Sequence, residues 1–227
     1  MRCSSDAIRI HPAPPPPEAA LLNGLRGLAT SHISDAAGFP CTVPVAIRPM
    51  HRSGALCGPA ITVRTAAGDN LMVQKAVDLA RPGDVVVVAA GGCLERALVG
   101  EIVSRHAAAR GVAGFVVDGA IRDLDVVETS DLPIFARGVS ARGPTRQGPG
   151  TINAPVTLGD VTVHPGDLIV GDRDGIVVVP CASAVAVAAA ARALAQRERD
   201  LLAAIDAGLL DRAWVDEALR RNGCALE

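Results

Sequence analysis

Residues 114–125 read GFVVDGAIRDLD. Phe115, Val116 and Val117 suit the interior of a buried strand. Gly119 permits a sharp reversal of the backbone, and Arg122, Asp123 and Asp125 then follow in quick succession. The charges therefore collect just past the carboxyl end of a strand, the edge at which open α/β sheets bind ligands.

Working outward, GDVVVVAAGG upstream reads as a second buried strand, and CLERALVGEIVSRHAAARG as an amphipathic helix closed by Gly111. With GFVVDG these make a βαβ unit and hence a parallel sheet. Further upstream, residues 60–65 have strand character, and a helix over residues 71–80 ends at Pro82 and Gly83. Beyond LPIFARG the pattern changes. APVTLGDVTVHPGDLIVGDRDGIVVVP holds short strands separated by Gly and Asp turns, which signals antiparallel pairing, with residues 172–175 as a hairpin turn. The fold class is α/β, with a parallel βαβ part packed on a β-rich antiparallel part.

The proline run in MRCSSDAIRIHPAPPPPEAALL makes residues 1–17 an extended arm or linker. A first helix is expected over residues 18–29, then a short one in SHISDAAG capped by Ser31 or Ser34. An alanine-rich helix spans residues 182–207, and another covers residues 212–221. One domain over residues 18–207 with a helical tail at 208–227 is the expected organisation. The small-residue face of residues 182–195 suits docking on another subunit; the alternative is that it lies on its own domain, with Glu198 in water between Arg197 and Arg199.

The 227 residues are 49% hydrophobic and carry a net charge of −2, which fits an ordinary globular chain. The 22 basic residues are scattered, so no nucleic-acid footprint is present. No apolar stretch suits a membrane span, and no secretory signal is visible. Six cysteines without a C-x-x-C pair point to reduced thiols and a cytoplasmic location. The five histidines lack zinc-ligand spacing. Lys75, the only lysine, lies on a predicted helix and is a poor candidate for Schiff-base chemistry.

Glu101, Arg122 and Asp123 are the sharpest chemical candidates, because a βαβ unit can bring them together. The local alternative is that Glu101 pairs with Arg105 four residues on and Asp123 caps a helix beginning at Leu124. An adjacent Arg and Asp can divide labour: the carboxylate anchors a hard divalent cation and the guanidinium binds a carboxylate or developing enolate. Asp69 or Asn70 in GDN caps the following helix or lines the cleft.

GDNLMVQKAVDLARPGDVVVV, Gly100-Glu101, GVAGFVVDGAIRD, LPIFARG, INAPV and VHPGDLIVGDRDGIVVVP together resemble the RraA-like family, which includes the 4-hydroxy-4-methyl-2-oxoglutarate/4-carboxy-4-hydroxy-2-oxoadipate aldolases. The resemblance runs in register from about residue 28 to residue 207. It implies an α/β/β/α sandwich of the swivelling β/β/α type, assembled as trimers or hexamers with active sites between subunits. A divalent metal, magnesium or manganese, is implied as cofactor.

By the same resemblance, Asp123 is the direct metal ligand and Glu101 holds metal-bound water. Arg122 binds the pyruvyl carboxylate or enolate oxygen, and the amides of Ile102 and Val103, just after Gly100 and Glu101, help hold the pyruvyl group. Those amides are open only if the helix starts near Glu101 rather than at Cys93. Glu198 of a neighbouring subunit is expected to act on the metal through water, with Asp200 as the alternative. The family acid three places after the motif aspartate is here Val126, with Asp125 before it and Glu128 beyond.

The activity implied is a metal-dependent aldolase (lyase) that cleaves 4-hydroxy-4-methyl-2-oxoglutarate or a similar oxo-acid to pyruvate, with oxaloacetate decarboxylation as a side activity. The alternative is a non-catalytic regulator of ribonuclease E.

Overall fold

The computed structural model describes residues 8–52 and 54–224. In chain order the elements are β1 (Ile8–Ile10), α1 (Ala19–Leu25), α2 (Thr30–Ala37), β2 (Arg48–Pro49), β3 (Leu56–Thr65), α3 (Leu71–Leu79), β4 (Val85–Val99), α4 (Glu101–Ala109), β5 (Gly114–Ile121) and α5 (Leu124–Thr129). They continue with β6 (Ile134–Val139), β7 (Gly150–Ile152), β8 (Val156–Leu158), β9 (Val161–Val163), β10 (Leu168–Gly171), β11 (Ile176–Val179), α6 (Ala184–Asp206) and α7 (Ala213–Arg221).

The main sheet runs β1-β7-β3-β4-β5-β6-β2, and its β3-β4-β5-β6 centre is parallel. The amino end of β3 pairs antiparallel with β10, which pairs with β11, so one long strand is shared between two layers.

Alternation along the strands builds the layers. Val86 and Val88 face a core shared with α3 and α4 through Val73, Val77, Val103 and Ala107. Val85 and Val87 face a second core against Ile169, Ile176 and Val178. On the other side of β10 and β11, Leu168, Val170, Val177 and Val179 pack on α1, α2 and α6 through Leu25, Ile33 and Val187. The order is helix, sheet, sheet, helix: an α/β/β/α sandwich. Strands buried on both faces explain the unbroken valine runs.

The helix expected from Cys93 to Gly111 is two elements. Residues 93–99 extend β4, pairing Cys93 with Gly119, Ala97 with Ala120 and Val99 with Ile121. Gly91 and Gly92, at φ of 65° and 71°, bend the strand before this extension. Leu94 to Leu98 have good helix propensity, but pairing along β5 overrides it. The helix α4 begins only at Glu101.

Other expectations also shift. The helix expected over residues 18–29 stops at Leu25, and Gly27 at φ 79° turns the chain before α2. Neither Ser31 nor Ser34 caps α2: Asp172, in the β10–β11 turn, accepts the Thr30 amide at 2.8 Å and its hydroxyl at 2.7 Å. The described part of the N-terminal arm, residues 8–17, docks along the sheet edge, while residues 1–7 lie outside the described residues. Its β1 pairs parallel with β7, and Arg81 Nη1 donates to the Pro14 carbonyl at 3.0 Å.

Part of the small face of α6 packs on its own domain, through Ala184, Val187, Ala188 and Ala191. Among the described residues Cys41, Cys57, Cys93 and Cys181 are in no disulfide. No helix among these residues is long and apolar enough to cross a membrane.

Candidate active site

Two strand ends meet where β4 gives way to α4 and β5 to α5. The Arg122 amide donates to the Val99 carbonyl at 3.0 Å, tying the two exits together. Asp123 follows in a left-handed conformation, φ 58° and ψ 44°, which few residues other than glycine adopt. Its carbonyl accepts the amides of Val126 and Val127 and so starts α5, but its side chain makes no cap bond. Instead Oδ2 accepts the Glu101 amide at 2.9 Å and lies 3.6 Å from Arg122 Nε. Asp123 thus sits at the N-cap of one helix while its carboxylate serves the start of another.

Gly100 makes this approach possible. A Cβ there would fall 2.5 Å from Asp123 Oδ2 and 2.8 Å from Arg122 Cγ. With Gly100 as the N-cap, the first intrahelical bond of α4 is Ser104 N–H to the Gly100 carbonyl at 3.0 Å. The amides of Ile102 and Val103 consequently have no intrahelical acceptor and remain available to an anion, favoured further by the helix dipole.

Arg122, Gly100, Ile102 and Val103 line one small cleft that is open to solvent. Asn70, Gln74 and Arg146 line it as well. Asn70 is buried and donates Nδ2 to the Leu98 carbonyl at 3.0 Å, leaving Oδ1 without a partner among the described residues. Asp69 caps α3, accepting the Leu71 amide at 3.0 Å.

The remaining expected residues lie elsewhere within the chain. The Glu101 carboxylate pairs with Arg105 at 2.7 Å, as the local reading had it, while its amide serves Asp123. Glu198 on α6 stays exposed and also bonds His32 of α2; the Arg122–Asp123 pair of its own chain is not among its partners. Asp200 accepts from Gln196 at 2.8 Å. Near Val126, Glu128 is taken by Arg52 at 2.7 Å, and Asp125 makes no side-chain contact with the Arg122–Asp123 pair. Lys75 is exposed on α3.

No group of three or more His, Cys, Asp or Glu residues forms a metal cluster among the described residues. What the site offers is a single half-exposed carboxylate with Oδ1 uncommitted, beside the space that Gly100 leaves. That donor set fits a hard cation that keeps most of its waters, and no soft or nitrogen-ligated metal.

Arg146 and Gln74 were not anticipated. Arg146 follows a glycine- and proline-rich stretch with no periodicity and reaches the cleft only through contacts with residues about 76 positions earlier.

The RraA-like family (Aldolase/RraA) matches residues 30–178. A Halalkalibacterium halodurans protein named "Putative 4-hydroxy-4-methyl-2-oxoglutarate aldolase" is 44% identical over 163 residues, covering 72% of this chain and 78% of its own. The crystal structure of an uncharacterized Pseudomonas syringae protein superposes with a TM-score of 0.78 at 31% identity, covering 86% of this chain and 92% of that one. A Thermus structure described as the RNA-processing inhibitor RraA superposes at 0.63 with 28% identity, covering 67% and 92%. By its sequence match and its fold, the chain belongs to the RraA-like family.

Proposed function

We propose that this protein is a pyruvate-forming lyase, acting on 4-hydroxy-4-methyl-2-oxoglutarate or a close 4-hydroxy-2-oxo acid, with oxaloacetate decarboxylation as a side activity. The observation that carries this reading is the Asp123 carboxylate held on the Glu101 amide beside Arg122, which itself lines a cleft with the start of α4. The name borne by the Halalkalibacterium halodurans relative supports the same chemistry.

Asp123 would hold a magnesium or manganese ion, with Glu101 and a neighbouring subunit's Glu198 acting through water. Such an ion would supply Lewis acidity to the oxo-acid end of the substrate. Arg122 and the Ile102 and Val103 amides orient the pyruvyl end. As the C3–C4 bond breaks, its electron pair passes into the C2 carbonyl, and the C4 hydroxyl proton leaves through water towards the Glu198 carboxylate. Arg122 meets the negative charge that develops on the enolate oxygen, and protonation at C3 then gives pyruvate. A preorganised donor of this kind is worth about 3–4 kcal/mol in the transition state. Loss of CO₂ from oxaloacetate passes through the same enolate, so the same groups serve it.

The second reading, a regulator of ribonuclease E, rests on the likeness to the Thermus RNA-processing inhibitor. The two separate in one assay: pyruvate release, coupled to a dehydrogenase, from several 4-hydroxy-2-oxo acids and oxaloacetate, with and without magnesium or manganese. Metal-dependent release supports the lyase. No release from any substrate, together with inhibition of ribonuclease E, supports the regulator.

A further inference from the structure

The cleft is lined by two charged residues, Arg122 and Arg146, and by no acid. Arg122 is built in at the end of β5. Arg146 sits in the loop between β6 and β7, and that loop is pinned on both sides of it. The Thr145 amide donates to the Gly68 carbonyl at 2.9 Å, and the Thr145 carbonyl accepts the Asn70 amide at 3.0 Å. Asp69, only 1% exposed, accepts the Thr145 hydroxyl at 2.9 Å and the Gln147 amide at 2.5 Å through one oxygen, while the other caps α3. The loop's start is held as well, by Arg96 Nη1 donating to the Gly143 carbonyl at 2.7 Å. A Cβ at Gly143 would fall 3.2 Å from Arg122 Nη1, so the same loop passes close over the first arginine.

Within this held backbone the Arg146 side chain makes no hydrogen bond or ion pair among the described residues, although it lines the cleft. An unpaired guanidinium on a pinned loop, lining the same cleft as a second one with no acid in that lining, suits a ligand with two negative ends. Resting on the reading of this cleft as an oxo-acid site, we infer that Arg146 is a specificity-determining residue that binds the carboxylate at the far end of a dicarboxylate substrate. Asp69 is the positioning residue that sets its loop. Arg122 and the α4 amides take the oxo-acid end.

The test compares two 2-oxo acids of equal chain length, 2-oxoglutarate and 2-oxopentanoate, titrated calorimetrically into the intact protein with magnesium present. The wild type should bind 2-oxoglutarate about tenfold or more tighter, as expected for a charge-assisted pair. Arg146→Gln should abolish that preference, and Arg146→Lys should keep part of it. A wild type without preference, a preference that survives Arg146→Gln, or equal weakening of both ligands overturns the inference. The titration needs no turnover, so it separates from the lyase reading. An Arg146-dependent preference in a protein that releases no pyruvate rejects the lyase and keeps the subsite; pyruvate release with an Arg146-independent preference does the reverse.

Discussion

The Asp123 carboxylate accepts the Glu101 amide at 2.9 Å across 22 residues of sequence, joining the exit of β5 to the first turn of α4. This bond leaves one carboxylate oxygen uncommitted next to a cleft lined by Arg122 and by Ile102 and Val103, whose amides are the next two of the helix. Arg122 lies alongside, 3.6 Å from the same carboxylate.

Arg122 is expected to act through its planar fork and not through charge alone. Arg122→Lys should lower turnover by about one to three orders of magnitude, the range for loss of a preorganised donor. Far-UV circular dichroism and the thermal midpoint should stay close to wild type, since the side chain is half-exposed. Wild-type turnover on every oxo-acid tested would make the arginine structural.

Gly100→Ala places a methyl group 2.5 Å from Asp123 Oδ2. Either the carboxylate leaves the Glu101 amide or the helix start shifts, and overpacking of this kind costs about 1–3 kcal/mol. Lyase activity should fall at least about tenfold, because the displaced group carries the chemistry. Unchanged kinetics and an unchanged thermal midpoint would show that the tight approach has no role.

Asp69 should make part of the fold's stability depend on acid. Burial alone pushes its carboxyl up, but the Gln147 and Leu71 amides, the Thr145 hydroxyl and the Gly148 amide outweigh it and hold the group below its usual 3.8. A depressed folded-state value stabilises the protein fully above the unfolded-state value and loses that contribution as the pH falls through the folded one. The stability gap between wild type and Asp69→Asn should therefore be flat above about pH 5 and narrow below about pH 4. Urea unfolding at several pH values measures it, and a gap that stays constant to about pH 3 would contradict the assignment.

Glu198 lies on α6, bonded to His32, so any part it plays at an Arg122–Asp123 site is at that of another subunit. Mixing inactive Glu198→Gln subunits with inactive Asp123→Asn subunits should restore part of the activity once they exchange, because some interfaces then hold both native residues. Demonstrated exchange without recovery would remove Glu198 from the neighbour's site.

Much of this architecture is legible in the chain because its central strands are buried on both faces. Val85 to Val88 and Phe115 to Val117 can belong only to a covered sheet, and Arg122 and Asp123 fall at its ligand-binding edge. Residues 94–99 are different. Their Leu, Glu, Arg and Ala content favours a helix, and only the distant pairing with β5 makes them strand. That one strand extension also decides that α4 begins at Glu101, which opens the Ile102 and Val103 amides. Arg146 is invisible for a related reason: its place depends on the buried Asp69 reaching Thr145 and Gln147, and no local pattern in the loop announces that link. The capping of α2 by Asp172 rather than by a nearby serine is a third long-range choice, made across 142 residues.

The measurement that bears most directly on the lyase assignment is pyruvate release from 4-hydroxy-4-methyl-2-oxoglutarate by EDTA-stripped protein as manganese or magnesium is added back, run beside Asp123→Asn. The stripped wild type should be inactive and recover with either ion, and Asp123→Asn should stay inactive at every metal concentration because Asp123 is the residue proposed to contact the ion directly, with Glu101 and Glu198 reaching it only through water. Full pyruvate release from the metal-free protein, or wild-type release from Asp123→Asn, would contradict the account.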